Sequence, residues 1–262
     1  MTALERARVR RLVGTFAQAL EEPERVAEFE RLLGRSGSHC PTPGRVKNTI
    51  TGIMYRDEPA ILAWEIGNEL RCKRCRGTTR YVDTIRELAR TLRAQGARQL
   101  IADGGEGHDD DSSAYPGLSN TYTVRGDEGA SFSKLATLSE LDMLSYHFYP
   151  GSGKTGLDTG RDARIWIERH EQIARAAGKV AYFGEFGHDL PPERDGERSF
   201  VFHGWLGHTL DQSTGSLAVL WQLVPVSREG AKERQYAVVY DQERHTLGVL
   251  AFWAASLRRA TP

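Results

Sequence analysis

The segment MLSYHFYP at residues 143–150 is followed by VAYFGEFG at residues 180–187. Each opens as a nearly unbroken run of apolar and aromatic residues and ends on Gly, Pro or a polar side chain. That is the pattern of a strand buried on both faces. Working outward, the same texture recurs at 61–66 (ILAWEI), 99–102 (QLIA) and 217–223 (LAVLWQL). The runs begin near residues 61, 99, 143, 180 and 217, in steps of 38, 44, 37 and 37. Segments of helical period lie between or after them, at 81–95, 163–177, 199–211 and 247–258. Strands alternating with helices predict a parallel sheet. A step near 40 residues holds one strand, one helix and two loops, as in a (β/α)8 barrel. A dinucleotide-binding sheet fits less well, because no Gly-x-Gly-x-x-Gly follows any of these runs. The expected fold is therefore α/β, of the (β/α)8 TIM-barrel type, with about five of eight strands recognisable and the N-terminal ones missing.

The first 60 residues carry no run of this kind. Residues 3–33 read as one or two helices, with Leu12, Phe16 and Leu20 at helical spacing and Pro23 as a break. Residues 34–44 (GRSGSHCPTPG) are turn-formers, and residues 46–55 are expected to end helically before Pro59. The organisation predicted is a helical segment at 1–45 followed by a barrel domain at 46–262. Over the 262 residues, 35 Lys+Arg balance 35 Asp+Glu, so the net charge is +0. This argues against a nucleic-acid partner, and the 29 Arg beside 6 Lys reflect general usage and not a basic patch. Mean hydropathy is −0.49. No run of 18 apolar residues exists and the first residues lack the apolar core of an export signal, so no membrane partner is expected.

In such a barrel the polar residues at the C-terminal ends of strands face the site. Read at those positions only, the five runs end on Asn68-Glu69, on Gly104-Gly105-Glu106-Gly107, on His147-Phe148-Tyr149-Pro150, on Gly184-Glu185-Phe186-Gly187 and on Trp221-Gln222. Two carboxylates on one rim beside an aromatic platform point to cleavage of a glycosidic bond. The retaining version needs an acid/base and a nucleophile about 5–5.5 Å apart. The acid must keep a proton near neutral pH and the nucleophile must stay ionised. No metal and no cofactor is needed for that chemistry, and none is expected.

At these residues the chain resembles glycoside hydrolase family 5, and within it the endo-β-1,4-mannanases. The stretch YRDEPAILAWEIGNELRC at 55–72 is similar to the family's acid/base signature, and the ordered motifs at 104–107, 147–150 and 184–187 continue it. The resemblance implies Glu69 as general acid/base and Glu185 as nucleophile. It implies Asn68 on a sugar 2-hydroxyl, His147 and Tyr149 framing the cleaved subsite with Tyr149 orienting Glu185, Trp221 as sugar platform, and Glu106 as a supporting partner. It further implies β-mannan or a related polysaccharide as partner, a monomer, and secretion, against the absent export signal that would leave the chain cytoplasmic. A β-1,4-glucanase of the same family and a catalytically impaired remnant are the alternatives. The chain departs from the family pattern at Leu70, where a Pro is usual, and at His108, where an aromatic is usual. It also lacks early strands that would bring an Arg beneath the nucleophile.

Other features have plainer readings. Trp64 and Trp253 are expected in the core, and Asp109–Asp111 as a solvated loop with no calcium ligand spacing. Cys72-x-x-Cys75, with His39 and Cys40 upstream, leaves zinc, a disulfide and free thiols open.

Overall fold

The computed structural model describes residues 47–118, 121–151, 155–212, 217–225 and 236–260. The helical segment expected at 1–45, with His39 and Cys40, lies outside them. Five parallel strands form one sheet in the order of the chain, β1 (Ala63–Glu65), β2 (Leu100–Ala102), β3 (Met143–Phe148), β4 (Val180–Phe186) and β5 (Ala218–Leu220). The sheet curls as half of a barrel. Helices α1 (Arg80–Ala94), α3 (Arg161–Ala176) and α4 (Asp195–Gln212) make three of the crossovers. A short α2 (Phe132–Ala136) precedes β3, and α5 (Arg244–Ala260) closes the described chain against α4.

The core lies between the convex face of the sheet and these helices. Helix α1 buries Tyr81, Val82, Ile85, Leu88, Ala89 and Leu92, the three- and four-residue spacing that turns one apolar stripe inward. Trp166 of α3 and Phe202 and Trp205 of α4 are wholly buried with Tyr146, Phe148, Phe183 and Phe186 of β3 and β4. The rings interlock, Phe148 edge-on to Trp205 at 5.0 Å and Phe186 edge-on to Phe202 at 5.0 Å. Every residue of β3 is buried, as its unbroken apolar run requires. The concave face is smaller and more polar. There Ala102, Met143 and Tyr182 pack with Ala63 and Val180, while the Tyr182 hydroxyl donates to Glu65.

Three expectations need correction. The run at 217–223 is not one strand: β5 stops at Leu220, and β6 (Leu223–Val224) instead pairs in parallel with β7 (Val238–Val239), a strand too short to show a pattern. Residues 46–55 do not end in an α-helix; Lys47 and Met54 bridge antiparallel around a turn, and a single 3-10 turn follows at Tyr55–Asp57. The acidic run is solvated only in part: Asp111 is exposed and Asp110 half-buried. Asp109 is fully buried and accepts from Ser131 Oγ at 3.1 Å and from the Ser133 backbone N–H at 3.0 Å, which tethers α2 to the loop after β2. Trp64 and Trp253 are partly buried and pack against the core.

Candidate active site at the strand C-termini

The loop after β1 carries Glu69 in the left-handed region at φ 54°, a conformation in which a non-glycine residue is strained. The chain is held there by a hydrogen bond from the Glu69 N–H to the Gly104 carbonyl at 2.9 Å. Gly104 makes this approach possible. Its φ is +70°, and a Cβ on it would sit 1.8 Å from the Gly67 carbonyl oxygen. Immediately beyond, Cys72 and Cys75 form a disulfide with a Cα–Cα separation of 5.2 Å, which settles the readings left open for that pair.

His147, at the end of β3 and 4% exposed, stands between two carboxylates. Its Nδ1 is 2.9 Å from Glu69 Oε1 and 3.7 Å from Glu185 Oε2. A nitrogen facing two carboxylates carries its proton there and donates to Glu69. Carboxylate oxygens of Glu69 and Glu185 themselves lie within 4.8 Å of one another. Tyr149 donates to Glu185 Oε2 at 2.5 Å. Burial and the adjoining carboxylate hold the Tyr149 hydroxyl far above its usual range, so it remains a donor at any working pH. His147 is seated by Gly184: a Cβ there would lie 2.3 Å from Ser145 Oγ and 2.9 Å from His147 Nε2.

A cleft of about 290 Å3 opens on the Glu69 side of the pair, lined among others by Glu69, Arg71, Glu106, His108, Tyr122 and His147. Glu106 takes both Nε and Nη2 of Arg71 at 2.5 Å in a two-pronged pair, and Arg71 also reaches Glu128 at 3.3 Å. His108 and Arg71 hold the Glu106 carboxyl down to about 2 despite its burial. Glu106 thus lies in the cleft wall. Trp221 is at the end of β5, 47% exposed, its N–H bonded to the Phe186 carbonyl at 2.9 Å. Asn68 is exposed on the rim.

Sequence reading missed two residues. Asp103 is buried at the end of β2 and accepts from the Ser145 and Gly105 backbone N–H groups at 2.8 and 3.0 Å, so it splices β2 to β3 under the site. Burial raises its carboxyl to about 6. Arg71 lies two residues past Glu69, and only its pairing with Glu106, 35 residues on, reveals it. Among the described residues, Glu69, His147 and Glu185 are also a group that offers a metal ion three donors. In the structure these donors already answer one another through the imidazole.

A family model described as GH family 5 beta-mannosidase-like matches residues 44–123. The putative mannan endo-1,4-β-mannosidase 5 of Oryza sativa subsp. japonica is 30% identical over 237 residues, 85% of this chain and 48% of the relative. The probable mannan endo-1,4-β-mannosidase A of Aspergillus oryzae is 32% identical over 133 residues, 51% of this chain and 32% of the relative. The endo-β-1,4-mannanase of Thermotoga petrophila superposes with a TM-score of 0.75 at 21% identity, covering 94% of this chain and 53% of its own. That of Rhizomucor miehei gives 0.69 at 21% identity, over 89% of this chain and 64% of its own. The likeness establishes the fold. The chain spans about half the length, or less, of the curated relatives it matches.

Proposed function

Because the chain belongs to glycoside hydrolase family 5, we propose that its rim is the retaining site of an endo-β-1,4-mannanase. The observation that carries this reading is the pair of carboxylates, Glu69 and Glu185, within 4.8 Å across an open cleft. An inverting pair stands about 6.5–9.5 Å apart to admit a water between them, and a retaining pair about 5–5.5 Å apart. The spacing favours the retaining mechanism.

Glu185 attacks the anomeric carbon, its lone pair steered by the Tyr149 hydroxyl. Glu69 gives its proton to the departing glycosidic oxygen. The covalent glycosyl-enzyme is then opened by a water from which Glu69 takes a proton. His147 holds Glu69 in position from below. Asn68 meets the sugar's 2-hydroxyl, and Trp221 presents an exposed ring to the apolar face of the sugar. The substrate is β-mannan or an oligosaccharide of it. The disulfide between Cys72 and Cys75 favours an oxidising compartment outside the cytosol. No helix of the described residues is long and apolar enough to cross a membrane.

The test is release of reducing sugar from galactomannan and glucomannan, run beside carboxymethyl cellulose. Activity on the mannans that disappears in Glu185→Ala and survives chelation by EDTA supports the proposal. Faster attack on the cellulose derivative would make the protein a β-1,4-glucanase. A second reading, a sugar-binding protein without catalysis, is favoured by one observation. Leu100, Leu217 and Val219 are 38%, 39% and 42% exposed, so part of the sheet surface stands open among the described residues. A wild type no faster than Glu185→Ala, yet retained on a mannan column, would establish it.

A further inference from the structure

His108 departs from the pattern of the family, and its surroundings are unusual. The ring is 5% exposed, yet neither Nδ1 nor Nε2 has a hydrogen-bond partner in the protein among the described residues. Nε2 is 3.4 Å from Glu106 Oε2, too poorly aimed to count as a bond, and the ring rests against Tyr122 with centroids 5.8 Å apart. A buried imidazole with both nitrogens unanswered costs free energy unless a ligand or a water answers them. His108 lines the same cleft as Glu69. Tyr149 lines it as well, but Glu185 and Trp221 do not. The cleft therefore lies on the acid's side of the reacting carboxylates, where a retaining enzyme holds the sugar that leaves.

We propose that His108 is a specificity-determining residue that hydrogen-bonds a hydroxyl of the leaving-group sugar, in a subsite bounded by Arg71, Glu106 and Tyr122. This rests on the retaining mannanase reading. Arg71 and Glu106 occupy each other's hydrogen-bonding groups, so they shape the subsite, whereas His108, whose Nε2 faces Glu106, keeps Nδ1 to spend on a ligand. A sugar that presents a hydroxyl to it gains the bond, and one that does not leaves it orphaned. Discrimination of this kind exceeds what an aromatic ring of similar size provides.

The experiment compares wild type, His108→Phe and His108→Gln on two substrates. One is mannohexaose, which places a sugar on the leaving side. The other is a 4-nitrophenyl β-mannoside of two or three sugars, which places an aryl group there. On mannohexaose, kcat/KM falls about tenfold or more in His108→Phe and is largely kept in His108→Gln, while on the aryl substrate all three proteins agree within about twofold. Equal rates on mannohexaose, or an equal fall on both substrates, overturns the assignment. Calorimetric binding of mannohexaose is measured in the Glu185→Gln background with and without His108→Phe. If wild type hydrolyses neither substrate but His108→Phe still weakens binding about tenfold, the hydrolase reading fails and the subsite stands. Equal affinity, or no binding at all, overturns the subsite. Because Gln keeps a donor and an acceptor, the result does not hinge on whether the Phe variant packs well.

Discussion

Tyr149 and Glu69 show how much of the proposed chemistry rests on single side chains. The Tyr149 hydroxyl is a short donor to the carboxylate proposed as nucleophile, and a hydrogen bond to a charged group contributes about 1.5–3 kcal/mol. Tyr149→Phe is expected to lower kcat on mannohexaose by about 10- to 100-fold with a smaller change in KM, because the bond orients the proposed nucleophile. Glu69 carries a different cost. Its left-handed backbone at φ 54° is uncomfortable for any side chain with a Cβ. Both Glu69→Ala and Glu69→Gly remove the proposed acid, but the Gly variant is expected to be more stable than the Ala variant by about 1 kcal/mol. Chemical denaturation of the two proteins measures it, and equal midpoints would mean that the loop relaxes freely. Glu69 was legible in the sequence because it ends a strand-like run. Its strained backbone was not, since the strain is imposed by Gly104 thirty-five residues away.

At the scale of elements, α3 carries two buried titratable groups of opposite effect. Glu171 accepts from the Tyr146 hydroxyl at 2.8 Å, and burial raises its carboxyl to about 7. The folded state then holds a proton between roughly pH 4.5 and 7 that the unfolded chain has lost, so this group costs stability as pH rises through that window. His170 is buried against Phe132 and Tyr146, and burial lowers it to about 4. The unfolded chain binds its proton first, so this group costs stability as pH falls from about 6.5 towards 4. Glu171→Gln keeps an acceptor for Tyr146 and removes the charge. It is expected to raise the unfolding free energy at pH 8 by about 1–3 kcal/mol, seen as a higher melting temperature, and to leave both nearly unchanged at pH 4. A gain of equal size at both pH values would place the benefit in packing. Helical periodicity put α3 within two residues of its observed bounds, but it could not say that the helix buries charges, which depends on what β3 presents to it.

Over the whole molecule, one buried ion pair ties the end of the described chain to its middle. Arg198 of α4 and Glu243, next to α5, are 1% and 0% exposed. Arg198 also donates to the Leu190 and Ala237 carbonyls, and Glu243 accepts from the Val239 N–H at 2.5 Å. Removing one partner leaves a buried charge alone. Glu243→Ala is expected to cost about 3–5 kcal/mol, with β7 and α5 losing amide-exchange protection before the central strands do. Uniform loss of protection would mean that the pair stabilises the fold as one unit instead. Neither residue stands out in the sequence, where each is an ordinary charged residue in a polar stretch.

The alternation of strand-like and helix-like segments, and their step near 40 residues, determined the parallel α/β architecture from the sequence alone, because apolar periodicity is a local property of the chain. The same periodicity marked the strand ends, and with them Glu69, His147 and Glu185. Only the tertiary structure decided that these three side chains meet, that β5 ends before Trp221, that Asp109 is buried, and that Arg71 and His108 join Glu106 in one cleft. Most of those facts rest on contacts between residues far apart in sequence, such as Glu69 with His147 and Arg71 with Glu106. The free energy of such a contact depends on burial and distance, and neither exists until the chain has folded.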